Sequence, residues 1–315
     1  MNNIQLAFRV VFPLMLQMSI GYILRRRKLV DTHSLDVMNK LVFRVFLPLL
    51  LFLNIYTLEP GEAFNKENVS LLLLSAFCII LIVILLHFII PIFVHETKKS
   101  SVLIQGIFRS NLVLFGIPIA ASIYGDDRIK IVSLLAAFIV PLFNILAVIV
   151  LEYYRGNKVN CLAVLINIMK NPLIIASATA FILLMLRVQI PEMILSPMAS
   201  LSKVATPLAF IVLGGTFRFS QISINLKYLI TIVIGKLILF PLILFTAAIA
   251  LGFRGEALVA LIGVAASPTA VSSFTMAVEM EADGELAGQA VIFTSIISII
   301  TIFFLVFLLK SLHFV

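Results

Sequence analysis

Apolar runs long enough to cross a bilayer as helices follow one another down this 315-residue chain, separated only by short polar connections. They fall near 5–24, 35–56, 69–94, 101–124, 129–154, 161–187, 197–217, 226–252, 255–280 and 286–310. A spanning helix needs about 20 such residues, so the length is consumed by roughly ten helices with no room for a soluble domain. The runs are too long for strands and lack the ten-residue alternation of an outer-membrane barrel. Composition agrees: 62% of residues are hydrophobic and 12% charged, against about 45–50% and about 25% in soluble domains. The expected fold is therefore an all-α integral membrane protein, a single transmembrane domain over 1–315.

Lys and Arg set the expected orientation. Fourteen of them, from the Arg25–Lys28 cluster through Lys98, Lys99 and Arg155 to Lys227, fall on one side of the alternating spans, and eight on the other. The richer side is expected to be cytoplasmic, with both termini outside, in a cell inner (plasma) membrane. The acidic connection holding Glu279, Glu281, Asp283 and Glu285 pulls weakly the other way. The start of the chain reads as the first span, not as a cleaved leader. A net charge of +8 comes from short loops and not from a domain face, so no nucleic-acid partner is expected. Cys78 and Cys161 lie in or beside spans and suggest no disulfide framework.

Two of the spans carry interruptions. Gly116, Ile117 and Pro118 follow Asn111 in the fourth, and Ser267, Pro268 and Thr269 lie in the ninth. A break in mid-membrane frees backbone groups that lipid cannot satisfy, so it persists only where protein or a water-filled cavity covers it. Matching breaks in two halves point to a transporter's substrate site. The prolines repeat as well: Pro13 and Pro172, like Pro48 and Pro207, are 159 apart, while Pro91 and Pro241, like Pro118 and Pro268, are 150 apart. The pattern predicts repeat units 1–155 and 160–315, with a deletion between the loop Leu58–Val69 and the tighter turn after Phe217. Five helices per unit, an odd number, require the second to enter inverted. Helices four and nine then cross as symmetry mates.

Such a crossing sets half-helix N-termini and unpaired N–H groups against a substrate, which favours a carboxylate. Asn111 offers both a donor and an acceptor, for substrate or for a neighbouring helix. Ser267, Thr269, Ser272 and Ser273 either line the second half-site or bond their own helices. Lys236 is an intramembrane cation, a candidate for anion attraction, for titration, for pairing with Glu279 or for snorkelling. His87 is a candidate for proton coupling or a hydrogen-bonded structural residue. Arg109 opens the fourth span, where it collects anions or sets topology, and Glu279 gates, pairs or sits at the interface.

The segment Arg109–Pro118, the segment Ala265–Glu279 and Lys236 five residues before Pro241 resemble the auxin efflux carrier family, which includes plant auxin exporters and bacterial permeases proposed for malate or malonate. The resemblance covers the whole chain, and the Asn111 to Pro118 spacing is its most specific piece. It implies ten helices, crossing helices four and nine, and elevator-type transport of small organic anions, in a fold similar to bile acid symporters and sodium/proton antiporters. It also implies a scaffold of helices one, two, six and seven, and favours a homodimer. The long hydrophilic loop of the plant exporters is missing, which speaks against auxin as substrate. The coupling ion, H+ or Na+, is left open, and no cofactor or metal site is expected.

Other classes fit less well. No zinc signature, intramembrane aspartate pair, nucleophile elbow or phosphate loop is present, so an enzyme is not expected. The alternative to a carrier is a receptor that binds a carboxylate without flux.

Overall fold

The computed structural model describes residues 3–57, 66–124, 130–155, 161–218 and 221–315. Residues 58–65 of the loop invoked for the deletion, with Arg128 and Lys158 of the charge count, lie outside them. The described secondary structure is entirely helical. Among the described residues seven helices are long and apolar enough to cross a membrane, or eight when one bent pair is counted as a single span.

The first group of helices begins with α1 (Asn3–Arg26) and α2 (Thr32–Leu41), which continues through a π-turn into α3 (Leu47–Tyr56). With it pack α9 (Pro172–Met185), α10 (Glu192–Ser202) and α11 (Ala205–Thr216). α1 lies along α11, and α3 along α9 and α10. The α1–α11 approach depends on glycine. A Cβ on Gly21 would sit 1.9 Å from the carbonyl oxygen of Ile211, and one on Gly214 equally close to that of Met18. Small residues let backbones meet where lipid gives helices no hydrophobic reason to associate.

The second group holds α4 (Lys66–Phe93), α5 (Thr97–Phe108), α6 (Leu112–Tyr124) and α7 (Lys130–Tyr153). With them are α12 (Ile222–Ile234), which runs through the π-turn Gly235–Leu239 into α13 (Phe240–Ala250), then α14 (Glu256–Leu261), α15 (Ser272–Glu279) and α16 (Gly284–Ser311). α4 turns Phe77, Phe88, Ile92 and Phe93 outward, each more than 60% exposed, as expected of a lipid-facing surface.

The predicted span 161–187 is two helices, α8 (Cys161–Lys170) and α9, joined at Asn171, with a bend of 62°. The local cause is Asn171, whose side chain caps the Leu173 amide at 2.9 Å, followed by Pro172 in the first turn. An N-cap plus N1 proline is a helix start. The acidic connection before α16 has a similar explanation. Asp283 accepts the Leu286 amide at 2.9 Å as its N-cap, and Glu285 sits in its first turn, where the helix dipole favours negative charge. Glu281 pairs with Arg155 at 2.6 Å, and that guanidinium holds the Glu281 carboxyl below its ordinary range.

Candidate functional site

The fourth span is interrupted, but earlier than the Gly116–Pro118 motif suggests. α5 stops at Phe108, Arg109–Asn111 is non-helical, and α6 then runs unbroken through Pro118. A proline inside a helix withholds its N–H from the carbonyl four residues back, here Leu114. Leu114 and Pro118 both line a large cavity, where a freed carbonyl is tolerated. The second interruption spans Ser267–Val271, between the π-turn Ile262–Ala266 and α15, so Pro268 lies in the break itself while Pro118 does not.

The two breaks satisfy one another's backbone. The Asn111 amide donates to the Pro268 carbonyl at 2.8 Å. The Thr269 hydroxyl donates to the Gly106 carbonyl, near the end of α5, at 2.8 Å. Ser110 Oγ donates to the Val264 carbonyl. These carbonyls lie near helix ends, where the chain lacks its own donors, and buried polar groups without partners are costly. Gly116 serves the same juxtaposition by being small: its Cβ would lie 2.9 Å from the Cα of Gly263, and a Cβ on Gly263 would lie 2.8 Å from the Cα of Gly116. Ile117 is partly buried and packs against the core.

A cavity of about 1030 Å³ opens in front of the first break. Arg109, Ser110 and Asn111 line it from one side, with Ala270, Val271 and Ser272 from the second break. Gln17 of α1, Asn54 of α3 and Thr206 of α11 face it from the other group of helices. Leu112, Val113 and Leu114 bring the first turn of α6 to the same wall, where backbone amides and the positive helix end favour an anion.

Arg109 is the main charge on that wall and is only 2% exposed. Its guanidinium donates to Asn144 Oδ1 of α7, to Ser272 Oγ at 2.8 Å and to Met276 Sδ at 2.8 Å. Asn144 is itself fixed by donating to the Val140 carbonyl at 2.8 Å. Behind the wall, Lys236 is fully buried, donates to Ser110 Oγ and rests over the Phe240 ring at 4.8 Å. It does not snorkel. Among the described residues neither cation has an acidic partner; the acids Glu96, Glu152 and Glu281 pair with Lys99 and Arg155. Buried charge is expensive unless compensated, so the cavity presents unpaired positive charge to whatever enters. Asn111 turns a partly exposed side chain to the same space, with no side-chain partner among the described residues.

The remaining candidates lie elsewhere. Ser267 Oγ donates to the Gly263 carbonyl of its own segment at 2.6 Å, and the Thr269 amide donates to Thr294 Oγ1 at 3.1 Å. Neither lines the cavity. Ser273 is buried with its Oγ unpartnered, while Ser272 reaches Arg109. His87 sits on α4 beside Tyr154, with Nδ1 3.1 Å from the phenol oxygen, and its ring packs edge-on to Tyr153. Glu279 ends α15 and accepts from Asn39 of α2 at 3.1 Å, not from Lys236. Sequence reasoning passed over Ser110, Asn144 and Gln17. Ser110 had a signal, since Arg109, Ser110 and Asn111 are three consecutive polar residues inside an apolar run.

Comparison with curated proteins finds no match. The family model described as "membrane transport protein" matches residues 6–163 and 157–306, nearly the whole chain. The chain belongs to this membrane transport protein family, which takes in the auxin efflux carriers.

Proposed function

We propose that the protein is a secondary carrier, a permease for a small organic anion such as a mono- or dicarboxylate, which binds in the cavity at the two helix breaks. The observation that carries this reading is Arg109, a buried cation on the cavity wall with no acidic partner among the described residues. A carboxylate entering beside it meets a guanidinium already oriented by Asn144 and Ser272, the first-turn amides of α6 and the side chain of Asn111. Charge-assisted hydrogen bonds of this kind are stronger than neutral ones. Arg109 is the principal binding residue, with Asn111, Ser272 and the Ala270–Val271 segment completing the wall. Pro118 and Leu114 shape it, and Gly116 and Ile117 pack behind.

The wider architecture belongs to the same proposal. Ten spans form two inverted five-helix repeats, with helices four and nine crossing at their breaks. The helices α1, α2–α3, α9 and α10–α11 act as scaffold while the others carry the breaks in an elevator movement. Support comes from the cavity's position between these two groups of helices. The bacterial permease-like subtype, a homodimer, insertion in the inner membrane with both termini outside, and coupling to H+ or Na+ complete the reading. Lys236 is the coupling candidate nearest the site, one hydroxyl behind the cavity wall.

Proteoliposome uptake of radiolabelled malate, malonate and indole-3-acetate, with and without proton and sodium gradients, tests it. Saturable flux of one acid is expected. Tight binding with no flux under every gradient would instead establish the receptor reading.

A further inference from the structure

An apolar groove of about 480 Å³ lies across α1 from the central cavity. α1 turns Pro13, Leu14 and Gln17 to the cavity, and Met15, Ser19, Tyr22 and Ile23 to the groove. The groove positions recur at three- and four-residue spacing and so form one stripe on the helix, whose next step is the exposed Arg26. The facing wall is apolar, with Phe217, Ile222 and Ile296. Phe217 leads directly into the exposed Arg218. Ser19 spends its hydroxyl on the Met15 carbonyl at 2.8 Å, so that position adds no polar demand to the groove.

The dimensions and charge together point to one occupant. From Met15 to Ile23 the helix climbs about 12 Å, close to the roughly 15 Å of one leaflet in a hydrocarbon core about 30 Å thick. A cationic cluster stands at the Ile23 end. Arg25 is engaged with Thr32 Oγ1 at 2.6 Å, while Arg26, Arg27 and Lys28 are exposed. Arg218 has Glu285 within electrostatic reach, which leaves Arg26 as the leading cation.

We infer that this groove holds an acyl chain of an anionic phospholipid, with the lipid phosphate at Arg26 and Arg218. The lipid sits where the glycine-locked α1–α11 pair faces α16, at the seam between the two groups of helices. It is distinct from the central cavity, so its occupancy is separable from substrate binding.

Native mass spectrometry of the protein released from nanodiscs of equimolar phosphatidylglycerol and phosphatidylcholine tests this. Wild type is expected to retain phosphatidylglycerol preferentially, and Arg26→Gln to lower the preference about fivefold, the effect of about 1 kcal/mol per basic residue at an anionic surface. Ile296→Trp, at a position 39% exposed, fills the groove and is expected to reduce retention of both lipids. Equal retention of the two lipids by wild type, a preference unchanged in Arg26→Gln, or a lipid-free dimer covering the groove would each overturn the inference.

Discussion

The two helix breaks meet backbone to backbone yet do different work. The first, Arg109–Asn111, brings Arg109 and Asn111 to the cavity wall while Ser110 bonds back to the Val264 carbonyl, and its one buried cation is held by an amide, a hydroxyl and a thioether. The second, Ser267–Val271, turns its polar side chains inward. Ser267 and Thr269 are 0% and 1% exposed and bond to Gly263 and Gly106. What it gives the cavity is the small surface of Ala270 and Val271, with Ser272 just beyond. The two breaks thus separate into a half that offers polar side chains to the cavity and a half that supports it.

Substitutions on the two sides should therefore separate affinity from stability. The largest effect is expected for Arg109→Gln, which removes the cation and leaves the amide able to bond Asn144. Losing one partner of a buried charged contact costs about 2 kcal/mol or more, so substrate affinity should fall at least about 30-fold in a binding titration. Next comes Gly116→Ala. A methyl group 2.9 Å from the Gly263 Cα forces the two segments apart, an overpacking cost of about 1–3 kcal/mol, read as a lower melting temperature in detergent. Asn111→Ala keeps the backbone amide that bonds Pro268 and removes only the cavity-facing side chain, so affinity should drop about tenfold, the worth of roughly one hydrogen bond, with the melting temperature held. The smallest effect on binding is expected for Thr269→Val. It orphans the Gly106 carbonyl, costs about 1 kcal/mol of stability and leaves affinity within about twofold. If Thr269→Val weakened substrate binding as much as Asn111→Ala does, the division between the halves would collapse.

Much of the fold was legible because it rests on composition. Apolar runs of bilayer length can only become helices that satisfy their own backbone in lipid. Seven such helices stand by themselves among the described residues, while the bend at Asn171 was missed in the predicted span 161–187 although the Asn171-Pro172 pair has the form of a helix start. The position of the first break was not legible from glycine and proline. Pro118 is accommodated inside α6 because the carbonyl it frees belongs to a cavity-lining residue, whereas the helix stops at Arg109–Asn111, a segment without glycine or proline, because its groups find partners on the other break and in the π-turn just before it. Those partners are more than 150 residues away, and no local pattern announces them. Asn144 was invisible for the same reason, since only the folded chain brings α7 to Arg109. Lys236 was singled out by its charge in an apolar run, but its single-hydroxyl separation from the cavity emerges only in three dimensions.

The proposed carrier depends above all on Arg109 recognising a negative charge in the cavity. Its most direct test is calorimetric binding of malonate against its uncharged isostere malonamide, in wild type and in Arg109→Gln, with the other acids of the uptake panel substituted if malonate is not the one transported. Wild type is expected to bind the acid and not the amide, and Arg109→Gln to lose this discrimination. Undiminished acid binding by a folded Arg109→Gln protein would contradict it.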